Sequence, residues 1–541
     1  MTGGGIGRAV ASWVINGHPD VDVTGFNVDR LHAYQANPRY RSERVVESLG
    51  NVYKCHYPFK TPQTARGAKH TPVYEKTAKQ GAFFRAVSGF ETADWYEQPG
   101  VGVATSDLTS STSSTDGTTR TQKGHDPNTH HSREVVMKHL DYGWGRPSFW
   151  ENWAREHRAC REGVVLIDMS FMSKFLVQGR EAGECLNRLC TADVDGPAGV
   201  ITYTQCLSER GTMEADITVN KLDGQQYMVV ATDSAHRHME AILRRQLDPE
   251  ACKHVTVTDM TGAYSQLNIQ GPQSRAFMQH LVDGTFPGAD EVSEDVYQNG
   301  SSGCNVPAVA DSMSNENFPF RAAKDVAIGL ARVMVARITY VGELGYELHI
   351  PTEFAAHVHD CVMTLKTRWD SEFPATPLVH CGLRALGSLR MEKAYRDFGH
   401  DMDNMDTLVE VGLGFTADTQ KPCGFVGQAA VEAQQKELKE KKGLKRRLCQ
   451  VLIKDPEPMM YQGEVLRRNG VVCGDVRVGS YGHTLGGSVG LAMVDAIGDG
   501  AVVNKSYLDD ACWEVEIAGK LYPAVVSLQP MYDPKNLRIK A

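Results

Sequence analysis

The sequence predicts a mixed α+β protein built from several structural units, and three observations carry that prediction. From Met137 onward, short β-forming runs alternate with amphipathic helical ones. A Lys-rich, mostly charged stretch, Glu432 to Arg447, then divides the chain, and the valines spaced among glycines beyond it read as a small, mostly β domain. The chain has 541 residues, which at roughly 100 to 200 residues per domain predicts about three or four units, each able to bury its own core.

Composition narrows the functional classes. The 57 Lys and Arg residues are outweighed by 66 Asp and Glu, giving a formal charge of −9. That balance provides no electrostatic footprint for nucleic acid or an anionic membrane, so neither is expected as a partner. No window approaches the roughly 18 to 20 uninterrupted apolar residues of a membrane-spanning helix. The apolar run from Val326 to Ile338 is short and broken by Arg332 and Arg337. Neither a secretory nor a transit pattern is visible at the N-terminus. Thirteen cysteines without a C-x-x-C pair argue against a disulfide framework or a zinc knuckle and favour a reducing compartment.

Taken in order, Gly3 to Gly7 form a glycine turn that opens a helix over Arg8 to Ile15, which Asn16-Gly17-His18-Pro19 stops. Arg8 stands where G-x-G-x-x-G requires its third glycine, and no strand precedes, so a complete dinucleotide site is not expected. Residues 20 to 100 show no sustained period and read as an irregular connecting region. The Ser/Thr-rich stretch that follows lacks the apolar surface to offset its ordering entropy and reads as a disordered linker, with His125, His130 and His131 solvated rather than metal-binding. Strands are expected at Val164 to Ile167, Asp216 to Val219, Tyr227 to Val230 and Val333 to Ala336. Helices are expected near Glu181 to Cys190, Ser234 to Gln246 and Leu383 to Tyr395.

Several motifs are set aside and three segments remain. Neither H-E-x-x-H nor a Walker sequence occurs. Gly486-Gly487-Ser488-Val489-Gly490 matches G-x-S-x-G, but with no helix after it a glycine-rich β-turn is the better reading. The run His400 to Asp406 lacks the glycine and glutamate of a calcium loop and reads as a turn of exposed acids. The first remaining segment, Gly211 to Val219, places Asp216 at a strand start. The second, Tyr340 to Ile350, holds Gly342 and Gly345, whose turn is expected to return Tyr340 and Glu347 to adjacent strands facing one cavity. A carboxylate there suits a flat heterocycle with an amino group and a ring N–H, since it accepts two parallel hydrogen bonds. The third, Ser388 to Arg396, is helical and carries cations suited to an acidic ligand tail.

These segments, with Glu156-His157-Arg158-Ala159-Cys160-Arg161-Glu162-Gly163, Asp168-Met169-Ser170, Gln270-Gly271-Pro272, Met391-Glu392-Lys393 and Glu410-Val411-Gly412-Leu413, resemble the folate-binding half of the sarcosine and dimethylglycine dehydrogenases. That half is itself similar to the T-protein, or aminomethyltransferase, of the glycine cleavage system. The resemblance implies an aminomethyltransferase-like folate-binding domain at 137–431, a charged helical linker at 432–447 and a C-terminal β-barrel at 448–541. Ahead of these it implies a residual flavin-oxidoreductase segment at 1–100 and the linker at 101–136.

It further implies that Glu347 holds a pterin edge with Tyr340 beside it, that Asp216 acts catalytically near the reactive nitrogens, and that Arg384 and Arg390 are candidates for the glutamyl tail. No metal is implied. The implied chemistry is capture by tetrahydrofolate of the one-carbon unit released when sarcosine or dimethylglycine is oxidatively demethylated, giving 5,10-methylenetetrahydrofolate in the mitochondrial matrix. Family members carry several hundred residues of FAD-binding domain before the point where this chain begins, so FAD and a flavoprotein electron acceptor belong to the intact family enzyme. A regulatory subunit like that of pyruvate dehydrogenase phosphatase and a free-standing aminomethyltransferase are the alternatives.

Overall fold

A computed structural model describes residues 3–27, 30–97, 142–246, 252–283 and 312–541. The Ser/Thr-rich stretch and its histidines lie outside the described residues. The glycines at the front are part of the first helix, Gly3–Asn16, and do not form a turn before it; Gly17, with φ +77°, closes the helix. A second helix spans Pro38–Asn51, with Asn37 accepting from the N–H groups of Arg39 and Tyr40 as its N-cap.

The irregular region expected before residue 100 contains a small sheet. Strands β1 (Lys69–His70), β2 (Ala82–Val87) and β3 (Phe90–Tyr96) pair in the order β1-β3-β2. Ser88 and Gly89, at φ 47° and 88°, form the two-residue loop between β2 and β3. Nearly every β3 side chain is buried, so the strand shows no alternation by which its sequence would announce it.

Two larger sheets follow. Strands β4 (Val164–Asp168), β10 (Tyr264–Gln270), β11 (Ala323–Ile328), β12 (Ala331–Ala336), β13 (Gly345–Pro351) and β14 (Leu378–His380) form a central sheet ordered β11-β12-β13-β10-β4-β14. Strands β5 (Ser173–Gln178), β6 (Ile201–Leu207), β7 (Met213–Lys221), β8 (Gln226–Ala231) and β9 (Thr256–Asp259) form an outer sheet ordered β6-β7-β8-β5-β9. One face of the central sheet, with Leu267, Ile269, Tyr346 and Leu348, buries its apolar side chains against helices Ser274–Asp283 and Ala355–Glu372. The outer sheet buries Phe175, Val177, Ile217 and Val219 against helices Ala182–Leu189 and His236–Gln246. Each sheet thus spends one face on a core and keeps the alternate residues for other contacts.

After helix Gln428–Lys441, strands β15 (Arg446–Ile453), β16 (Val465–Arg468), β17 (Val471–Gly482), β18 (Gly487–Asp495), β19 (Trp513–Ile517) and β20 (Lys520–Ser527) close into a barrel. The G-x-S-x-G residues turn from β17 into β18, where buried Ser488 donates to the carbonyl of Pro458 at 2.7 Å. The barrel is fastened through Glu392, which pairs with Arg161 at 2.9 Å and accepts from the N–H groups of Thr484 and Leu485 at 2.8 and 3.0 Å. Two sequence expectations need correction. Asp401 and Asp406 are fully buried rather than exposed, because Arg390 binds the first and Arg446, at 3.1 Å, binds the second. Cys185 and Cys252 form a disulfide across 6.6 Å between their Cα atoms.

Candidate functional site

Asp216 lies on β7, one strand in from the edge of the outer sheet. Its Oδ1 accepts from Gln205 Nε2 at 2.9 Å on β6, and Tyr203 on the same strand also hydrogen-bonds it. Register fixes where Asp216 points. Thr218 on β7 is opposite Val230 on β8, and Val230 is opposite Lys174 on β5. Side chains two residues apart on a strand share a face, so Asp216 and Lys174 project on one side, away from the apolar core. Burial pushes the Asp216 carboxyl up to about 7, and the nearby carboxylates of Asp397 and Asp401 push the same way.

Glu347 lies on β13 of the central sheet, on the face opposite its core. It is directly opposite Asn268 on β10, whose Nδ2 donates to it at 3.3 Å, and Gln266 Nε2 donates at 3.2 Å. His349 follows on the same face with Nε2 3.9 Å from the carboxylate. Fully buried Lys174 donates to the carbonyls of Met172 and Ser170 at 2.8 and 3.3 Å and interacts electrostatically with Glu347. Burial raises Glu347 to about 7 and lowers Lys174 to about 7, outweighing their attraction in each case. Gln266 Oε1 and both ring nitrogens of His349 are buried without a hydrogen-bond partner. A buried polar surface with open valences is expensive unless something else fills them.

Tyr340 differs from expectation. It sits in the connection between β12 and β13 rather than on a strand, and only Glu347 is on a strand. Its hydroxyl donates to the carbonyl of Arg396 at 2.8 Å and its ring stacks on Tyr395 with centroids 6.1 Å apart. The connection is compact because Gly342 adopts φ +79° and a Cβ there would come within 2.1 Å of Lys393 Cγ. Tyr340 and Asp216 interact electrostatically, so this loop meets the β7 end of the site.

The two expected tail cations already have acidic partners. Arg390 is buried against Asp401 and also donates to the carbonyl of Tyr395 at 3.0 Å. Arg384 donates to Asp94 at 2.8 Å and lies 4.5 Å from the ring of Phe59, at the contact with the N-terminal sheet. Arg396 differs from both: it donates to the carbonyls of Val411 and Ala394 at 2.9 and 2.7 Å and sits within electrostatic range of Asp216. The sequence singled out the cationic segment that Arg396 ends but named Arg384 and Arg390 as its candidates, and it passed over Lys174, Gln205 and the pair Gln266 and Asn268. Alternation along β10, Gln266-Leu267-Asn268-Ile269-Gln270, was the available signal for the last pair.

The glycines at the front offer no cradle for a flavin. Gly3, Gly4, Gly5 and Gly7 lie on a helix where a Cβ would meet nothing within 4 Å, so among the described residues they bring no backbone close to a pyrophosphate.

The central sheet, the outer sheet and the closing barrel define an aminomethyltransferase-like protein. The GCVT N-terminal domain matches residues 73–290 and 305–421, and the chain belongs to that family. The glycine cleavage T-protein C-terminal barrel domain matches 446–533, and the FAD dependent oxidoreductase central domain matches 16–71. The chain is 32% identical over 537 residues to 4-methylaminobutanoate oxidase (formaldehyde-forming) of Paenarthrobacter nicotinovorans, covering 99% of this chain and 55% of that protein. It is 28% identical over 555 residues to mitochondrial sarcosine dehydrogenase of Homo sapiens, covering 100% of this chain and 55% of that protein. It therefore spans about half the length of these relatives. The glycine cleavage system aminomethyltransferase T of Bartonella henselae shares the fold, with a TM-score of 0.60 at 19% identity over 86% of this chain and 99% of that one.

Proposed function

We propose that the polar residues around Glu347 and Asp216, on the outer and central sheets, bind tetrahydrofolate and capture a one-carbon unit released by oxidative demethylation of sarcosine or dimethylglycine, as 5,10-methylenetetrahydrofolate. The observation that carries this reading is the confrontation of Glu347 with Lys174 across the two sheets, with Asp216 on the same face as Lys174. A pterin presents a ring N–H and an amino group along one edge, and Glu347 accepts both. The open valences of Gln266 and His349 beside it suit the remaining edge of such a heterocycle. Tyr340 packs beside the ring.

Asp216 sits where a one-carbon acceptor would react and, with its carboxyl near 7, takes up the proton released as an amine attacks. Arg390 and Arg384 serve a glutamyl tail only if its carboxylates replace Asp401 or Asp94, whereas Arg396 is closed by backbone carbonyls alone. The oxidation that generates the one-carbon unit requires a flavin and an electron acceptor. Gly3, Gly4, Gly5 and Gly7, on a helix with open space around them, do not fit a flavin pyrophosphate. Six relatives are named as mitochondrial, and the matrix is the compartment we propose.

Titration with tetrahydrofolate tests the reading, comparing the wild type with Glu347→Ala. Binding weakened by about tenfold or more in the variant is expected from loss of a charge-assisted pair. Equal affinity would overturn the pterin assignment, and an inert wild type would favour the regulatory-subunit alternative.

A further inference from the structure

An ion pair at the surface adjoins Asp216. His400 and Asp397 lie in the connection that follows helix Leu383–Glu392, with His400 Nδ1 3.3 Å from Asp397 Oδ2. The His400 side chain is 51% exposed and that of Asp397 26%, so the pair runs from the interior to water. Asp397 is held in place from two sides. Its N–H donates to Asp401 Oδ1 at 2.8 Å, and Thr232, the residue after β8, hydrogen-bonds its carboxylate.

Tyr340 joins this pair to Asp216. It interacts electrostatically with Asp397, Arg390, Asp401 and Asp216 alike, so three acids and one arginine surround a single ring. Asp401 is fully buried and closed by Arg390 and by the N–H of Asp397. Asp397 is therefore the acid of this group that leads outward, and His400 is the end of that path. The charged groups facing His400 are Asp397, Arg390 and Asp233, and Asp233 is engaged by the hydroxyl of Ser88 at 2.7 Å. The hydrogen bond and charge of Asp397 raise the imidazole above its ordinary range. Burial works against Asp397, but the hydrogen bond and charge of His400 prevail and lower its carboxyl.

A folate seated over Asp216 covers that carboxyl, yet the proton it takes up has to leave before the next turnover. We infer that Asp397 and His400 form the route by which this proton reaches solvent. Asp216 gives the proton to the Asp397 carboxylate, Asp397 passes it to Nδ1 of neutral His400, and the imidazolium sheds a proton from Nε2 to water, so every group regains its starting charge. Because Asp397 raises the imidazole, His400 is the better acceptor for a proton leaving Asp216. Neither relay residue touches the substrate; both act through Asp216. The route rests on the folate reading, which makes Asp216 the base.

Steady-state capture of formaldehyde by tetrahydrofolate on the full chain tests the route, measured above the uncatalysed condensation, in dilute buffer and with added imidazole. His400→Gln, at an exposed position, is expected to lower turnover about tenfold in dilute buffer while leaving the single-turnover rate and tetrahydrofolate affinity unchanged, and imidazole is expected to restore it. In NMR titrations of the ligand-free chain, Asp397→Asn is expected to lower the midpoint of the His400 ring. Turnover of His400→Gln equal to wild type, a deficit that imidazole does not relieve, or an unmoved His400 midpoint would overturn the route. Asp216→Asn separates this from the folate reading. Slow capture in that variant, beside wild-type turnover in His400→Gln, leaves the folate reading standing and removes the route alone. Wild-type capture by Asp216→Asn removes the base, and the route with it.

Discussion

Asp216 and Lys174 share one face of the outer sheet, two strands apart, and Lys174 interacts electrostatically with Glu347 on the central sheet. Burial holds the Asp216 and Glu347 carboxyls, from distant parts of the chain, both near 7. At neutral pH each is poised between its two protonation states, which suits a base that must both accept and return a proton.

The first prediction concerns Asp216. Its carboxylate is the proton-accepting form, so the rate of one-carbon capture should rise with pH through about 7, following the raised carboxyl. Asp216→Asn should retain folate binding within a few-fold while lowering the capture rate by about 10²- to 10⁴-fold and flattening that limb of the profile. Single-turnover rates across pH, with folate affinity measured on the same samples, check both parts. A large loss of affinity with an unchanged profile would make Asp216 a binding residue only.

Glu347 carries a stability signature of its own. Its folded-state carboxyl is raised from the ordinary 4.5 to about 7, so the folded state holds its proton more tightly than the unfolded chain. The associated stability is complete below the unfolded value and is lost as pH rises through about 7. Glu347→Gln should therefore stabilise the ligand-free protein by about 3 kcal/mol at pH 8 and give no gain at pH 4. Lys174, lowered to about 7, is mostly neutral at pH 8, so the variant leaves no strongly charged amine behind. Denaturant titrations at the two pH values distinguish this from a generic surface effect.

Several strands were legible in the sequence, the order in which they pair was not, and the site was legible only in part, for identifiable reasons. Val164 to Ile167 and Tyr227 to Val230 announce themselves because β-branched runs packed on a core have few other conformations open to them. Asp216 and Glu347 stand out as acids within β-forming segments. Lys174 does not, because one lysine in Ser173-Lys174-Phe175 reads as an ordinary outward-facing residue; only the facing sheet turns that direction into burial. Tyr340 was expected on a strand because the hairpin reading treats Gly342 and Gly345 as one tight turn. The positive φ belongs to Gly342 alone, while Gly345 already pairs with Gln270. Asp401 and Asp406 were read as solvated because sequence gives no view of Arg390, Arg446 and Arg477 converging on them.

Glu392 should behave in the opposite sense to Glu347. Arg161 and His157 beside it hold its carboxyl down, from 4.5 to about 2, so its contribution is present above the unfolded value and is lost as pH falls toward about 2. Because the same carboxylate accepts from Thr484 and Leu485, it also fastens the barrel to the helix Leu383–Glu392. Glu392→Gln should destabilise the protein by about 3 kcal/mol at pH 7, with the difference from wild type closing near pH 2. Thermal unfolding at both pH values is the check, and an equal deficit at each would exclude an ionic origin.

The arginines near the cleft divide by what already holds them, and substitutions should separate them accordingly. Arg390 is closed by Asp401, whose Oδ1 in turn accepts from the N–H of Asp397 at 2.8 Å; removing Arg390 leaves a buried acid without its cation. Arg390→Gln should therefore lower stability by about 3 to 5 kcal/mol at neutral pH, whether or not folate is present. Among the described residues Arg396 donates to the carbonyls of Val411 and Ala394 and forms no ion pair, interacting electrostatically with Asp401 and, less strongly, Asp216, so its charge remains available to an anion binding beside Asp216. Arg396→Gln should cost less stability yet weaken tetrahydrofolate binding about tenfold, with a larger effect for a polyglutamylated folate, whose tail carries more charge. Unfolding curves and folate titrations on both variants decide between them. If Arg390→Gln weakens binding while leaving stability intact, the tail contact belongs to Arg390 and the ion pair with Asp401 opens when folate binds.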